Sequence, residues 1–559
     1  MKKAWMKILT LFLTLAVGMP FAACGGKIDT GENCIDVCIY SAGYGTSWCE
    51  EILKDFVELD WVKEKYPGVK YTFLSTDQTG FIKNKIVASN NNHYDLLFGF
   101  DSDAPSDYSL LEDITESVYG AKVPDTDVPE AQRLTYAEKL FSTYQKANKY
   151  VDETNGEKYY TTSWAGGMNG IFYNEDILND LGFDVPRTTD ELITICDKIY
   201  ENRTDGIEGD DVYEGYAFTQ AKGLAYWTYM FPIWWAQYEG VTEYENFYKG
   251  IDSNGVVRSY GIFDQIGRLY SLELFEEFLA YDVHLNPASL SDLYTFKHAQ
   301  TQYLRGNGVF HVNGDWFENE MKDIKAMLKA EEGVDYSFKL MRTPVISALG
   351  TKLGITDEEL ADTVDYVDGV TDTMPVYSKI GTVGSEEYNA QADYIVSKVK
   401  EARGVVHSIG AGHMSFIPSY ASDKDLAIDF LLYMATEEAQ ITYMEATGGA
   451  SLPFKYDVKN ENPEFYDQLS EMQRERLDYF YNGSFDISVL LSPDSFPLVK
   501  FGGVREFTRT DYHTALSLDM SGWDSDDRVT ARKIYDETKA YWTDNGAQRW
   551  TTAVNQAGI

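Results

Sequence analysis

Short apolar runs alternate with segments of helical periodicity along the first part of the chain. An apolar run at 35–40 predicts a strand, and the helix that follows carries Trp48, Ile52 and Phe56 on one face. After Pro67-Gly68 come a second predicted strand at 69–74, a helix near 78–89 and a buried strand at 94–99. Strands that alternate with helices form βαβ units. The pattern therefore predicts an α/β fold with a mostly parallel sheet.

Two loops follow the first and third of these strands. They carry Tyr44 and Asp101. In parallel sheets ligands bind in the crevice beyond the carboxyl ends of the strands. We therefore expect Tyr44 and Asp101 to lie on one rim of the sheet.

A second α/β run begins near Met168. Thr188 and Glu191 have the spacing of a capping box and predict the start of a helix. Later, 309–312 reads as a strand, Asn313-Gly314 as its turn and Asp315-Trp316-Phe317 as the opening of a helix. Segment 344–403 is acidic and partly helical, and we interpret it as an insertion.

Composition narrows the class of protein. The net charge of −41 excludes binding to nucleic acid and attraction to anionic headgroups. A chain of 559 residues is long enough for two cores. Aromatic residues make up 14% of it, which leaves rings available for a stacking site in addition to the core.

The cysteines do not indicate a disulfide framework. Cys34 and Cys38 would lie roughly 13 Å apart in a strand, beyond the roughly 7 Å limit for a bridge. Cys196 has helical spacing with apolar residues and is expected to be a buried thiol. Zinc-type spacings and the common catalytic and nucleotide-binding motifs do not occur, so we predict no metal, no cofactor and no catalytic residues.

The N-terminus has the pattern of an export signal. Three lysines precede the apolar run 8–17, which is about half the roughly 20 residues of a membrane-spanning helix. Phe21-Ala22-Ala23-Cys24 resembles the bacterial lipobox, with Phe21 departing from the usual leucine. That resemblance implies a lipoprotein signal peptide at 1–23 and lipidation of Cys24. Residues 24–33 would then be a flexible, lipidated tether.

Three stretches together resemble the family 1 extracellular solute-binding proteins, which include maltose- and other oligosaccharide-binding proteins. The first is GIFYNEDILNDLGFDVPRTTDEL at 170–192, and the second is GNGVFHVNGDWF at 306–317. The third is IPSYASDKDLAIDFLLYMATEEAQ at 417–440, followed by TGGASLP at 447–453. Their order and spacing over most of the chain make the set specific.

The resemblance implies a two-lobed periplasmic-binding-protein fold of type II, whose lobes close over a ligand at hinge crossovers. Lobe 1 would comprise 34–165 and 404–454, and lobe 2 would comprise 166–343. The insertion at 344–403 and a C-terminal helical segment at 455–559 would pack on the lobes. The hinges are expected near 164–170 and after 341–345.

Sugar recognition needs aromatic platforms together with carboxylates or amides. The resemblance points to Trp316 as a stacking tryptophan, to Asp101 as a carboxylate that holds hydroxyls, and to either Tyr226 or Trp227 as a further aromatic. Position alone suggests Tyr44 and, at the presumed hinge, Trp164. The alternatives are a core role for the rings and a solvated or capping role for Asp101, with Asp103 and Asp107 nearby.

These features predict a lipid-anchored monomer on the extracellular face of the cell membrane. It would capture an oligosaccharide and deliver it to the permease subunits of an ABC importer. A binder of another solute class, such as a polyamine or a peptide, remains open. A secreted glycoside hydrolase is the alternative from another class, although pairs of acids carry no weight in so acidic a chain.

Overall fold

The computed structural model describes residues 33–87, 92–126, 128–152, 156–205, 213–221, 226–280, 282–481, 487–512, 515–516, 529–543 and 546–559. The predicted signal peptide and Cys24 lie outside the described residues, as does all of the predicted tether except Asn33. None of the helices in these ranges is both long enough and apolar enough to cross a bilayer.

The strands form two principal sheets and two small ribbons. In chain order they are β1 Cys34–Tyr40, β2 Lys70–Thr76, β3 Leu96–Phe100, β4 Lys149–Asp152, β5 Gly156–Tyr159, β6 Thr161–Ser163, β7 Asn169–Asn174, β8 Tyr216–Phe218, β9 Gly308–Gly314, β10 Phe338–Leu340, β11 Val405–Val406, β12 His413–Phe416 and β13 Ser488–Val489. The first sheet has the order β2-β1-β3-β12-β6 and the second has the order β10-β7-β9-β8.

Helices surround both sheets. They are α1 Ser47–Glu58, α2 Asp60–Lys65, α3 Phe81–Val87, α4 Tyr136–Lys139, α5 Ser142–Asn148, α6 Glu175–Asp180, α7 Thr189–Asp205, α8 Met230–Glu239, α9 Val241–Lys249, α10 Gly267–Phe278, α11 Phe296–Leu304, α12 Phe317–Met327, α13 Ala348–Leu353, α14 Asp357–Asp368, α15 Glu386–Arg403, α16 Lys424–Tyr433, α17 Glu437–Thr447, α18 Val458–Glu461, α19 Pro463–Tyr466, α20 Glu471–Tyr481, α21 Pro497–Lys500, α22 Ala531–Thr543 and α23 Gly546–Ala557.

The predicted α/β class and the two-lobed fold are confirmed. Each principal sheet forms the centre of one lobe, and the chain passes from the first sheet to the second between β6 and β7. It returns after β10 through α13, α14, α15 and β11 and rejoins the first sheet at β12. The residues at 344–403 thus form helices in the part of the chain that leads from the second sheet back to the first.

The prediction of a mostly parallel sheet is wrong. Strands β1, β2 and β3 are parallel, as is the β8–β9 pair, but β12 and β6 join the first sheet in antiparallel pairs. In the second sheet β7 is antiparallel to both of its neighbours. The reason is the connectivity. Parallel pairs arise from right-handed βαβ units within a lobe, whereas strands that enter from the other lobe arrive in the opposite direction.

The prediction of a turn at Asn313-Gly314 is also wrong. Strand β9 continues through both residues, and they pair with Gly170 and Asn169 of β7. The predicted helix after it is present as α12. Pairing with β7 outweighs the local turn preference of Asn-Gly because it satisfies the backbone groups in a fully buried strand.

The cap at Thr188 is present, and the cysteines form no disulfide among the described residues. Thr188 Oγ1 accepts from the Glu191 amide at 3.3 Å, while the Glu191 carboxylate binds the amide and guanidinium of Arg187. Cys34 and Cys38 lie on strand β1, and Cys34, Cys38, Cys49 and Cys196 are buried free thiols. Burial raises the pKa of Cys38 to about 12 and therefore keeps it protonated.

Candidate ligand site between the lobes

Five aromatic residues meet where the two lobes face each other. We call Tyr44, Trp164, Tyr226, Tyr229 and Trp316 the interlobe aromatic cluster. The Tyr44 ring lies 6.1 Å from that of Trp164 and 5.8 Å from that of Trp316, both edge-on. Trp316 lies 6.3 Å from both Tyr226 and Tyr229, whose rings stack on each other at 5.4 Å. The cluster thus joins loops of both lobes.

Trp164 lies where the chain passes from the first sheet to the second. It follows strand β6, and its indole N–H donates to the carbonyl of Gly99 at 3.1 Å. One face stacks on Trp48 at 5.2 Å, and the ring edge meets His413 at 4.7 Å. Burial lowers the pKa of His413 to about 4, so the imidazole beside Trp164 is neutral at pH 7.

Trp316 is positioned by the end of strand β9. It is the residue before helix α12, and only 5% of its surface is exposed. The Gly43 backbone approaches the ring so closely that a Cβ there would lie 2.6 Å from Trp316 Cδ1. Glycine at 43 therefore permits the first-lobe loop to lie against the second-lobe tryptophan.

A polar network links the lobes beside these rings. The Tyr44 hydroxyl donates to Asp315 Oδ1 at 2.9 Å, and Arg476 Nη1 donates to Asp315 Oδ2 at 2.6 Å. Arg476 Nη2 donates to the Gly449 carbonyl. Burial raises the pKa of Asp315, and the Arg476 guanidinium and the Tyr44 hydroxyl oppose that rise. Across the same interface Asn319 Nδ2 donates to the Gly43 carbonyl at 3.2 Å.

Asp101 lies on the same rim as Tyr44. It begins a short turn after β3, and the neighbouring Phe100 ring is 4.9 Å from His413, which is 5.6 Å from Tyr44. Burial raises the pKa of Asp101. The adjacent Asp103 binds the amide of Phe100 at 3.0 Å, a structural role that separates it from Asp101.

The structure separates Tyr226 from Trp227. Tyr226 faces Trp316, whereas Trp227 stacks on Phe278 at 6.2 Å and packs against Phe218 at 4.7 Å within the second lobe. Of this pair, the geometry favours Tyr226 as the aromatic at the interface. Trp227 contributes to the core that supports it.

Acidic side chains line the second-lobe side. Glu320 accepts from Gln300 Nε2 at 2.7 Å, and burial raises its pKa. Glu318 accepts from Ser470 Oγ and from Gln473 Nε2, each at 3.0 Å, and burial raises its pKa as well. Both carboxylates come from the first turn of α12, directly after Trp316.

Three residues of this site were not among the predicted ligand residues. Tyr229 belongs to an aromatic run that also supplies the core, and Asp315 directly precedes the predicted stacking residue Trp316. The signal for Asp315 was its place at the end of a buried strand. Arg476 had no local signal, because it lies 161 residues from its partner.

Comparison with known proteins agrees with the two-lobed fold. Residues 42–284 match the family model of bacterial extracellular solute-binding proteins. No curated protein matches the sequence. The fold is similar to that of apo RafE from Streptococcus pneumoniae, at 14% identity and a TM-score of 0.51, over 92% of this chain and 99% of that one.

Two further solved structures share the fold. A probable secreted solute-binding lipoprotein from Streptomyces coelicolor has 11% identity and a TM-score of 0.52, with 92% of this chain and 99% of that one covered. A protein studied for xylan utilization by Caldanaerobius polysaccharolyticus has 12% identity and a TM-score of 0.52, covering 90% and 99%. At these identities the likeness concerns the fold.

Proposed function

We propose that this chain, as a bacterial extracellular solute-binding protein, captures an oligosaccharide between its lobes and delivers it to an ABC importer. The observation that carries the proposal is the interlobe aromatic cluster. It places Tyr44 and Trp164 opposite Trp316, Tyr226 and Tyr229. Flat C–H faces of sugars stack on such rings, while carboxylates such as Asp101 and Glu320 accept from hydroxyls.

Closure of the two lobes over the ligand is the mechanism by which the protein would capture it. A ligand that contacts rings from both lobes stabilises the closed arrangement more than the open one, and the equilibrium shifts accordingly. The contacts of Asn319 with Gly43 and of Tyr44 with Asp315 belong to the closed arrangement. A permease could then distinguish loaded from empty protein by shape.

The solved neighbours support sugar as the ligand class. One of them, with a TM-score of 0.52, comes from a study of xylan utilization by Caldanaerobius polysaccharolyticus. Cationic solutes could bind to the same rings, because cation–π contacts use aromatic faces. A polyamine or a peptide is therefore the alternative ligand.

Calorimetric titration of residues 25–559 tests the ligand class. The panel comprises raffinose, maltotriose, xylo-oligosaccharides and chitin oligosaccharides, with spermidine and a tripeptide as controls. We expect micromolar or tighter binding of one glycan, recovered intact by chromatography. Binding of spermidine or the tripeptide alone would contradict sugar as the ligand, and release of reducing ends would identify a glycoside hydrolase.

We also propose that Cys24 carries the lipid that holds the protein at the membrane. The supporting observation is the small-residue pattern before Cys24, together with a charge of −41 that gives no attraction to anionic headgroups. In cells grown with a clickable palmitate analogue, the Cys24→Ala variant should lose the label and the membrane fraction. A labelled Cys24→Ala variant would contradict lipidation at this residue.

A further inference from the structure

A second cavity lies away from the interlobe aromatic cluster. It has a volume of about 150 Å³ and lies between the end of helix α8, helix α13 and helix α15. Helices α13 and α15 belong to segment 344–403, so the cavity exists only because that segment packs on the second lobe. Its lining includes Gln237, Tyr238, Lys352, Tyr394 and Lys398.

Gln237 is a buried residue of this lining. Only 3% of the surface of Gln237 is exposed, and its Oε1 accepts a hydrogen bond from the Ile346 amide at 2.9 Å. That bond fixes the orientation of the amide group. Nε2 is then buried with no hydrogen-bond partner among the described residues. Nε2 has almost no exposed surface, so a molecule in the cavity would meet the lysine, glutamate and tyrosine side chains of the lining instead.

The rest of the lining offers aromatic faces and balanced charge. Tyr394 is 49% exposed, and the Tyr238 ring lies 4.4 Å from the Lys352 ammonium. Lys398 pairs with Glu401 at 2.7 Å, and Lys352 lies 3.8 Å from Glu239. Each ammonium therefore has a carboxylate beside it, and the cavity has no excess of either sign.

We propose that this cavity is a second binding site, for a small uncharged polyhydroxylated molecule of monosaccharide size. An anion would be repelled by Glu239 and Glu401, and a cation by Lys352 and Lys398. Hydroxyl groups can instead accept from the ammonium groups and donate to the carboxylates. The tyrosine rings suit the C–H face of such a molecule. The site does not depend on the proposed function of the interlobe cluster.

The test uses the full mature chain carrying Trp316→Ala, so that stacking in the interlobe cluster is weakened. The probes are D-glucose, D-galactose, D-xylose and glycerol, with gluconate as the anionic comparison, followed by saturation-transfer NMR. We expect saturable binding of at least one neutral probe. Adding Tyr394→Ala should weaken it about 3- to 10-fold, the effect of one lost aromatic contact. Adding the exposed control Tyr260→Ala should leave it unchanged.

Three results would overturn the proposal. They are the lack of saturable binding by every neutral probe, binding that Tyr394→Ala does not weaken, and tighter binding of gluconate than of glucose. Tyr394 is half exposed, so its replacement leaves the fold intact, which circular dichroism checks. Failure here leaves oligosaccharide binding by the parent chain untouched, and failure of that binding leaves this test informative.

Discussion

At the scale of single residues, Asp315 connects parts of the molecule that are distant in the sequence. It accepts from Tyr44 of the first lobe and from Arg476 of helix α20, and it stands directly before Trp316. Both Asp315 and Arg476 are almost fully buried. A buried carboxylate needs such partners, because desolvation without a counter-charge is strongly unfavourable.

We expect Arg476→Met to destabilise the protein by about 3–5 kcal/mol, because it leaves the Asp315 charge buried without its partner. Urea unfolding followed by fluorescence measures this. The double variant Asp315→Asn with Arg476→Met removes both charges and should recover much of the loss. Equal stability of Arg476→Met and the parent would contradict a structural role for the ion pair.

Glu437 gives the stability a specific dependence on pH. Burial, and then the nearby Glu461, raise the pKa of Glu437 to about 7 from an ordinary value of 4.5. The folded state thus binds a proton more tightly than the unfolded state. The contribution of protonated Glu437 to the free energy of unfolding is fully present below about pH 4.5 and is lost as the pH rises through 7.

Glu437→Gln should therefore raise the melting temperature at pH 8 and change it little at pH 4.5, where the parent residue is already protonated. Thermal unfolding across this pH range makes the comparison. Glu464→Gln, an exposed acid on helix α19, is the control and should show no such pH-dependent difference. A gain at pH 4.5 as large as that at pH 8 would contradict the assignment.

Much of the candidate site was predictable at this scale. Tyr44, Asp101 and Trp316 each follow a strand, and a strand end is visible in the local pattern of apolar residues. The pairing of Tyr44 with Asp315 was not predictable, since 271 residues separate them. Nor could the pattern tell Tyr226 from Trp227, because neighbouring residues in one aromatic run point in different directions.

At the scale of elements, helix α20 links the C-terminal segment to the second lobe. Lys339 on edge strand β10 contacts Glu175 at 2.8 Å, Glu471 at 2.9 Å and Glu475 at 3.3 Å. Burial lowers the pKa of Lys339, but the three carboxylates outweigh that effect and raise it. Without the ammonium these acids would repel one another.

Lys339→Met should loosen α20 on the second lobe. The side chain is mostly buried but two of its partners are well exposed, so we expect a loss of about 1 kcal/mol, or ~5-fold faster amide exchange in α20. Hydrogen exchange with mass spectrometry resolves this helix. Lys329→Met removes the exposed pair with Asp335 and serves as the control. Unchanged exchange in α20 would contradict this role of Lys339.

The elements themselves were largely predictable, but their arrangement was not. Strands β1, β2 and β3 and the helices between them follow from local periodicity. The direction of β12 and β7 depends on how the chain crosses between lobes, which is a long-range property. For the same reason Asn313-Gly314 became part of a strand once β7 was available to pair with it.

At the scale of the whole molecule, capture of a ligand between the lobes requires that the lobes open and close. Gly43→Ala tests the closed arrangement, because its Cβ would lie 2.6 Å from a Trp316 ring atom. We expect weaker ligand binding and, in small-angle X-ray scattering with ligand, a larger radius of gyration than the parent. Gly350→Ala is the control, since its Cβ meets nothing closer than 3.4 Å. Unchanged affinity of Gly43→Ala would contradict this picture of closure.

Replacement of Trp316 tests whether the interlobe aromatic cluster captures the ligand. Calorimetric titration should compare the parent, Trp316→Ala and the exposed-ring control Tyr260→Ala against the glycan that the panel identifies. We expect Trp316→Ala to weaken binding by about 1–3 kcal/mol, the range for a lost aromatic contact at the centre of a site. Tyr260→Ala should bind like the parent. A folded Trp316→Ala variant with the affinity of the parent would contradict ligand capture by the interlobe aromatic cluster.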